Sequence, residues 1–353
     1  MLRVAINGYG RIGRVVHRQL VERFSTEVLV VAVNASSAAD MRAYLLKYDS
    51  LHGRFDADIQ VEGEHLRVNG KDVRVVREKD PAKCPWRELK VDIVIEATGK
   101  FRERDKAAAH LAAGAKAVLI TAPPKDDVPL IVLGVNDDIL KDSLPIVSAA
   151  SCTTNCIAPV IKVLDELCGI KSGLVCTTHA YTSSQNLVDN STDSSKLRIA
   201  RAANLNIIPS TTGAVKSCGK IFPHLKGKMD GMALRIPVPD VSAAYLAINV
   251  QKPVTIETVN GAFAKAANGP LKGILAVEEG KLVSSDYISD AHSSTVDLDS
   301  TAVIDKTLVQ ILAWYDNEWG YAMRVTEMVL LIGAFLTPFP ASSHDRSRSL
   351  SHA

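Results

Sequence analysis

A glycine-rich loop near the amino terminus limits the possible folds of this chain more than any other feature. The loop reads Gly8-Tyr9-Gly10-Arg11-Ile12-Gly13; it follows the apolar run Leu2–Asn7 and precedes apolar residues at helical spacing. Strand, glycine turn and helix in this order are typical of a dinucleotide site, where backbone approaches a pyrophosphate at a helix N-terminus. An ordinary glycine turn is the alternative, and the flanking strand and helix favour the dinucleotide site.

Strand-like and helical segments alternate through the first 150 residues. A second strand at Val28–Asn34 completes a βαβ unit. A helical segment is predicted at 107–113, and further strand-like runs lie at 91–97, 117–121, 130–135 and 146–148. This alternation predicts an α/β fold, a Rossmann-type doubly wound parallel sheet with ligands outside its carboxyl edge. We assign residues 1–150 to a dinucleotide-binding domain.

Beyond residue 151 the pattern changes to longer strand-like runs with fewer helices between them. The runs lie at 174–178, 232–237, 243–250 and 308–315. They predict an α+β catalytic domain over 151–317 with a largely antiparallel sheet. Two domains agree with a length of 353 residues, which is more than one hydrophobic core usually serves. A helix at 318–336 is expected to pack back on the first domain, and 338–353 is expected to be a disordered tail.

Charge and cysteine content exclude several classes of function. The 41 basic and 39 acidic side chains leave a net charge of +2, so nucleic acid binding is not indicated. Six unevenly spaced cysteines do not form a disulfide framework, which predicts a reducing compartment: the cytoplasm, or an organelle for a mature form. No secretory segment is visible. The late apolar run 328–335 is short of the about 20 residues that span a bilayer, so no membrane partner is expected.

A thiol and an imidazole are the strongest candidates for chemistry. Cys152 lies in Ser151-Cys152-Thr153-Thr154-Asn155-Cys156, ahead of an apolar-periodic run, with Ser151 as the predicted helix N-cap. His179 ends a predicted strand. We expect the imidazole and the helix dipole to favour a Cys152 thiolate. Pro159 inside this helix predicts a kink or a shifted boundary. A metal site of Cys156 with His179 is discounted because structural zinc needs a second close pair.

The second strand lacks the acidic residue that binds the ribose 2'-hydroxyl of NAD. The strand ends in Asn34-Ala35-Ser36-Ser37, and the nearest carboxylate is Asp40. Without a carboxylate there is no charge repulsion against a 2'-phosphate, and two hydroxyls can bond one. The sequence therefore favours NADP, with NAD held by other contacts as the alternative.

Motifs along nearly the whole chain closely resemble those of phosphorylating glyceraldehyde-3-phosphate dehydrogenases. These motifs are Ala5 to Gly8, Lys47 to Ser50, Glu96 to Gly99, Ser151 to Cys156, Thr178 to Thr182, Asn206 to Pro209, Gly231 to Pro239 and Trp314 to Tyr321. The resemblance implies that glyceraldehyde 3-phosphate and inorganic phosphate react reversibly through a thioacyl group on Cys152, with His179 as the base. It also implies a homotetramer, and it leaves the glycolytic or reductive direction open.

The same resemblance implies the binding residues. Thr182 and Arg235 match the site for the substrate's phosphate, and the site for the incoming phosphate is matched by Ser151, Thr153, Thr212 and Gly213, with Arg198 as a further candidate. Asn317 matches the residue that orients the nicotinamide. The remaining cofactor candidates are Asn7, Gly8, Gly10, Arg11, Ile12, Gly13, Asn34, Ala35, Ser36, Thr98, Gly99, Thr121, Ser191 and Tyr321.

The chain also departs from the family pattern. Ile199 stands in place of an arginine near the phosphate sites, so Arg198 or Arg201 is the candidate substitute. Ser191 resembles NADP-using relatives and is the second departure that favours NADP. Two other functions remain open: a related cysteine-dependent dehydrogenase of erythrose 4-phosphate or a semialdehyde, and a non-catalytic binding protein, for instance on RNA. The intact Cys152 and His179 argue against the latter.

Overall fold

The structure is a computed structural model that describes residues 1–336, except for the side chains of residues 194–196. The described chain divides into two compact units. The first contains residues 1–131, 136–150 and 322–336, and the second contains residues 132–135 and 151–321. The tail predicted at 338–353 lies outside the described residues.

The first unit is an α/β structure around one sheet. Its elements are β1 (Leu2–Asn7), α1 (Arg11–Arg23), β2 (Val28–Asn34), α2 (Ala39–Lys47), β3 (Tyr48–Asp49), β4 (Gly53–Arg54), β5 (Ile59–Glu62), β6 (His65–Val68), β7 (Lys71–Val76), β8 (Ile93–Glu96), α3 (Arg104–Ala112), β9 (Ala117–Ile120), α4 (Leu140–Ser143) and β10 (Ile146–Ser148). The sheet runs in the order β10-β9-β8-β1-β2-β7-β6-β5.

Strand β1 lies where the strand order reverses. From β1 the chain builds outward through β2 and β7 on one side, and through β8, β9 and β10 on the other, with these pairs parallel. Strands β8 and β9 are buried along their whole length, as expected for parallel strands covered on both faces. Ligands of such sheets bind outside the carboxyl ends of the strands at this reversal. The doubly wound parallel sheet predicted from sequence is confirmed.

The strand predicted at 130–135 is wrong. Leu130 forms only an isolated bridge to Ser148, and the chain turns before Val135 through Gly134, whose φ is +74°. The run is apolar because Ile131, Val132 and Leu133 are buried, not because they belong to a ladder. A short buried apolar run does not distinguish a strand from a buried connection.

The second unit is built on a mixed, largely antiparallel sheet, as predicted. Its elements are α5 (Cys152–Cys168), β11 (Ile170–Ala180), β12 (Ile208–Thr211), α6 (Ala214–Ile221), β13 (Met229–Ile236), β14 (Ser242–Val250), α7 (Ile256–Ala267), β15 (Leu275–Glu278), β16 (Ser294–Ile304) and β17 (Leu308–Tyr315). The sheet order is β12-β13-β11-β14-β17-β16-β15. The pairs β11/β13 and β15/β16 are parallel and the others antiparallel.

Helix α8 (Trp319–Leu336) follows the last strand of the second unit. By length and composition alone it could cross a membrane, and 61% of it is buried within the fold, as in a core helix of a globular protein. The residues of this helix from 322 onward belong to the first unit, where Gly333 lies against Leu2.

Candidate active site

The glycine loop of the first unit is shaped by close backbone contacts. Gly8 has φ +99°, and a Cβ there would lie 2.6 Å from the Ala97 carbonyl carbon and the Thr98 nitrogen. A Cβ at Gly13 would lie 2.2 Å from the Gly8 carbonyl oxygen, whereas a Cβ at Gly10 would meet nothing within 4 Å. Two glycines are therefore required by packing, and the third leaves open space where helix α1 begins. Open space at a helix N-terminus is the geometry that accepts a pyrophosphate.

A buried carboxylate holds the strand ends beside this loop. Glu96 is fully buried and accepts hydrogen bonds from the Asn7 amide, the Thr98 backbone N–H and the Thr98 hydroxyl. The indole N–H of Trp86 donates to His110 Nδ1 at 3.0 Å, so the ring proton of neutral His110 is on Nε2, which donates to Glu96 at 3.1 Å. Sequence reasoning quoted Glu96 only within a motif and missed this network.

The polar cofactor candidates Asn7, Asn34 and Thr98 are engaged with the protein itself. Asn34 donates to Asn7 at 2.6 Å and to the Glu78 carbonyl at 2.7 Å, and it accepts from the Glu78 N–H at 3.0 Å. The Thr121 hydroxyl donates to the Glu96 carbonyl at 3.1 Å. These side chains therefore fix the shape of the carboxyl edge of the sheet, and this shape is their contribution to ligand binding.

The other cofactor candidates of the first unit lie at the ends of β1, β2 and β8. Ala35 is buried, Ser36 is exposed, and Gly99 has φ +70° with open space around it. Ile12 is half-buried in the first turn of α1. Arg11 forms an ion pair with Asp49; burial alone raises the pKa of Asp49, but the bonds from Arg11 and two backbone amides bring that pKa below its usual range. Arg11 is thus held by a carboxylate that sequence reasoning did not assign.

In the second unit, the candidate nucleophile begins a helix. Helix α5 starts at Cys152, and Ser151 is its N-cap, with the Ser151 hydroxyl accepting from the Thr154 N–H at 3.1 Å. The predicted cap is confirmed. The helix continues through Pro159 to Cys168, so the shifted boundary expected at the proline is not observed. Cys156 is a buried thiol that donates to the Ser294 hydroxyl, and burial raises its pKa to about 12.

The register of two parallel strands brings His179 and Arg235 together. His179 of β11 pairs directly with Arg235 of β13. Nε2 of His179 is 3.5 Å from Cys152 Sγ, while Nδ1 lies 2.8 Å from both the Ala180 carbonyl oxygen and Arg235 Nη1. The structure therefore places thiol, imidazole and guanidinium in a single row. His179 is the second-to-last residue of β11, which continues to Ala180, two residues beyond the predicted run at 174–178.

The electrostatics of this row differ from the sequence-based expectation. Burial raises the pKa of the Cys152 thiol, against the lowering effects of Arg235 and of hydrogen bonds involving Thr153. Burial also lowers the pKa of His179 to about 4, and Arg235 adds to that shift. Burial therefore opposes the expected thiolate, because loss of hydration disfavours the charged form of the thiol. The thiolate stays a prediction.

Tyr315 is a component of the site that sequence reasoning missed. Its hydroxyl lies 2.9 Å from the Thr153 hydroxyl and 2.8 Å from the Thr177 hydroxyl. Its ring packs edge-on against His179, with centroids 6.0 Å apart. The available signal was the strict alternation of β17, which buries Tyr315, but its partners are distant in sequence.

The remaining candidates of the second unit lie on separate segments with local hydrogen bonds. The Thr182 hydroxyl contacts Ser184, and Thr212 accepts from the Ala214 N–H beside Gly213 at the start of α6. Arg198 and Ser191 are exposed, and Arg201 pairs with Asp189. The side-chain amide oxygen of Asn317 accepts from the Ser242 hydroxyl at 2.7 Å, and Ser242 in turn accepts from the Ala180 N–H. Tyr321 is buried.

Comparison with known proteins identifies the family. Residues 2–104 match the model of the glyceraldehyde 3-phosphate dehydrogenase NAD binding domain, and residues 151–317 match the model of the C-terminal domain. Glyceraldehyde-3-phosphate dehydrogenase 2 of Bacillus subtilis is 48% identical over 94% of this chain and 97% of its own length. The Geobacillus stearothermophilus enzyme is 49% identical over 94% of this chain and 98% of its own.

A chloroplastic relative is equally similar. Glyceraldehyde-3-phosphate dehydrogenase A of Chlamydomonas reinhardtii is 49% identical over 93% of this chain and 87% of its own length. The resemblance inferred from the motifs is thereby confirmed. The chain belongs to the phosphorylating glyceraldehyde-3-phosphate dehydrogenase family of NAD(P)-dependent enzymes.

Proposed function

We propose that this chain oxidises glyceraldehyde 3-phosphate to 1,3-bisphosphoglycerate, reversibly, through a thioacyl group on Cys152. The observation that carries the proposal is the 3.5 Å contact between Cys152 Sγ and His179 Nε2 at the first turn of α5. A nucleophile within hydrogen-bond reach of a base, on a rigid element, is the arrangement that covalent catalysis needs. The domains would be 1–150, with helix 318–336, for the dinucleotide and 151–317 for the chemistry.

The first unit fits a dinucleotide. The positions where a Cβ would clash, Gly8 and Gly13, form the turn, and open space at Gly10 admits a pyrophosphate to the start of α1. When bound, NAD(P) accepts the hydride that leaves the substrate carbon. The hydrogen bonds among Asn7, Asn34 and Glu96 keep this edge of the sheet in shape. Asn317 is the residue proposed to orient the nicotinamide, from its match to the family motif.

The chain's own residues then move two protons. The Cys152 sulfur attacks the aldehyde carbon, and its thiol proton passes through His179 Nε2 to the carbonyl oxygen, which becomes the hydroxyl of a hemithioacetal. As hydride leaves, His179 removes the hydroxyl proton, and a thioester remains. An oxygen of inorganic phosphate attacks this thioester, the C–S bond breaks, and the products are the acyl phosphate and free Cys152. The thioester retains oxidation free energy that hydrolysis would dissipate.

Two anion sites are proposed from the match to the family motifs. Arg235 and Thr182 would bind the substrate's phosphate, and the incoming phosphate would be bound by Ser151, Thr153, Thr212, Gly213 and Arg198. Hydroxyls, amides and guanidinium groups suit doubly charged oxygens. Arg201 is the weaker substitute for the missing arginine, because its guanidinium is paired with Asp189.

NADP is the proposed preferred cofactor. The segment after β2 contains the exposed Ser36 and the Ser37 hydroxyl, which has no hydrogen-bond partner among the described residues. Position 35 is an alanine, so no carboxylate there repels a 2'-phosphate. The nearest acid, Asp40, lies in the first turn of α2 and accepts from the Met41 N–H at 2.7 Å. The expected outcome is a kcat/KM for NADP equal to or above that for NAD, and a strong preference for NAD would contradict it. Ala35→Asp should shift the ratio toward NAD by about tenfold or more.

A homotetramer is the proposed assembly. Cys176 pairs in register with Met232 and Tyr245, so these side chains share one sheet face, and Met232, Tyr245 and the nearby Leu174 are exposed apolar groups. Such a face favours association with another copy. The proposed location is the cytoplasm, with an organelle as the alternative, and neither membrane nor nucleic acid is a proposed partner.

One assay tests the proposed function. Oxidation of glyceraldehyde 3-phosphate is followed with each cofactor, with and without inorganic phosphate. We expect one equivalent of NAD(P)H per active site in a rapid burst without phosphate, and continuous turnover only with it. Turnover that does not depend on phosphate would contradict acyl phosphate formation, and absence of a burst would contradict the thioacyl intermediate.

A further inference from the structure

A cavity of about 150 Å³ lies in the first unit, between helix α1 and the hairpin of β6 and β7. Its wall includes Val28 and Val30 at the start of β2 and Val73 of β7. Both strands run from this cavity toward their carboxyl ends at Asn34 and Val76, which is the edge where a dinucleotide binds. The cavity is therefore separate from the cofactor site.

The wall of this cavity is mostly apolar. Aliphatic side chains from three elements and the hairpin line it, among them Leu20, Val21, Val28, Val30, Val68 and Val73. The polar residues Ser25, Asn69 and Lys71 are half-buried or exposed. Lys71 Nζ donates to the Ser25 carbonyl, and the Asn69 side-chain oxygen accepts from the Asp58 N–H at 2.9 Å. The cavity therefore has an apolar interior and a polar rim.

His17 of helix α1 is the buried polar residue of this wall. Its side chain is 1% exposed, and its Nδ1 is hydrogen-bonded with the Tyr9 hydroxyl. Its Nε2 is also buried and has no hydrogen-bond partner among the described residues. Burial lowers the pKa of His17 to about 3, so the ring is neutral near pH 7. Because a buried polar atom without a partner is costly, a ligand that bonds Nε2 gains stability there.

Volume and polarity together limit the class of ligand. An apolar cavity of this volume accepts a single benzene-sized ring. Nε2 of a neutral imidazole presents an N–H or a lone pair, according to whether Tyr9 or Nδ1 donates in their hydrogen bond. A hydroxyl can accept or donate and so bonds Nε2 in both cases, whereas a carbonyl or ether oxygen only accepts. A second hydroxyl in the apolar interior would be buried without a partner.

We propose that this cavity is a binding site for a phenol, a single aromatic ring with one hydroxyl that bonds His17 Nε2. The ring packs against the aliphatic side chains of α1, β2 and β7. A rigid ring loses little conformational freedom on binding, which favours it over a flexible aliphatic alcohol of the same volume. The site lies in the unit that does not contain Cys152, and the inference does not depend on the proposed function.

NMR of the parent protein saturated with NAD(P) tests the inference without any variant. The protein carries ¹³C-methyl leucine and valine and ¹⁵N-histidine, and the probes are phenol and benzene. We expect nuclear Overhauser effects from both rings to the methyl groups of Leu20 and Val28, and a large shift of the His17 Nε2 signal with phenol only. Absence of these contacts at millimolar phenol overturns the inference, as does an equal shift with benzene. Contacts that appear only without NAD(P) also overturn it, because phenol would then occupy the dinucleotide site.

A variant separates the hydrogen bond from the burial of the ring. His17→Phe keeps an aromatic ring at this position and removes Nε2, so the ratio of phenol affinity to benzene affinity, measured by calorimetry, should fall about tenfold. His65→Gln is the matched control, because His65 is an exposed histidine of the same unit that pairs with Asp72 and does not line the cavity. It should keep the ratio of the parent. An unchanged ratio in His17→Phe overturns the inference, and the NMR of the parent decides the matter where this variant does not fold.

Discussion

Each of the two units contains a buried histidine, and their surroundings differ in one respect. In the first unit, His110 Nδ1 accepts from Trp86, and Nε2 lies nearer to the acceptor Glu96, at 3.1 Å, than to the Asn7 amide, at 3.4 Å, so the closest partners favour one tautomer. In the second unit, Nδ1 of His179 faces a donor and an acceptor at the same distance. A histidine whose closest partners favour one tautomer holds its neighbours in place, whereas one whose partners compete at equal distance can change its protonation at small cost. The arrangement around His110 therefore holds the strand ends in position, and the arrangement around His179 allows proton transfer.

The comparison predicts the largest effect on turnover for substitution of Cys152, whose sulfur lies beside His179. Cys152→Ser should lower turnover by about 10⁴-fold or more, since a poorly nucleophilic hydroxyl replaces the attacking atom. The rate is measured as NAD(P)H formed from glyceraldehyde 3-phosphate. Cys156→Ser is the matched control on the same helix, and it should retain most of the activity because the Cys156 thiol is buried and donates to Ser294. A Cys152→Ser form that works as fast as the parent would remove the basis of the mechanism.

Single substitutions of His179 and of His110 give a sharper test. His179→Asn should lower turnover by about 10² to 10⁴-fold, the range of a positioned general base, and leave the fold intact. His110→Gln should instead lower the free energy of unfolding by about 1–3 kcal/mol, because donors and acceptors in a closed network lose partners. Cys152 alkylation should be unchanged by the His110 substitution. Equal effects of both substitutions on turnover and on stability would contradict the comparison.

The lowered pKa of His179 adds a pH dependence to the same pair of variants. The unfolded chain binds a proton on this ring below pH about 6.5, whereas the folded chain does so only near pH 4, where the pKa of His179 lies. The stability contributed by this group is therefore present above pH 6.5 and is lost as the pH falls toward 4. His179→Asn should consequently lose less stability than the parent between pH 7 and 4.5, measured by urea unfolding. An identical loss would show that His179 is not held neutral.

Thiol reactivity provides a comparison within one molecule. Cys152 is half-buried beside His179, whereas burial raises the pKa of Cys84 to about 12 and raises that of Cys218 further. Iodoacetamide should therefore modify Cys152 at least about tenfold faster than either of the other two thiols near neutral pH. Mass spectrometry of partly modified protein gives the three rates. Equal rates would contradict the activation of Cys152 by its neighbour.

Sequence reasoning succeeded where the determining contacts are local. The strand, glycine turn and helix from Leu2 onward, and the Ser151 cap before Cys152, depend on residues within a few positions of each other. Sequence reasoning failed at 130–135, where burial imitates a strand. It could not supply the contact of Arg235 with His179, because that contact follows from the register of two strands separated by more than 50 residues, nor the bond of Glu96 to His110, which needs the packing of α3.

A similarly small effect is expected from substitution of Glu96, which accepts a hydrogen bond from His110. Glu96→Gln keeps the shape of the side chain but turns one acceptor into a donor facing Asn7 and His110, so unfolding should be easier by about 1–3 kcal/mol. Cofactor affinity should fall, because Thr98 and the Gly8 turn lose their support, while alkylation of Cys152 stays unchanged. Glu62→Gln is the control: Glu62 is exposed, and its pair with Arg67 contributes little to stability. If the two substitutions have equal effects on unfolding, the Glu96 network does not hold the strand ends, and the contrast between the two histidines reduces to burial alone.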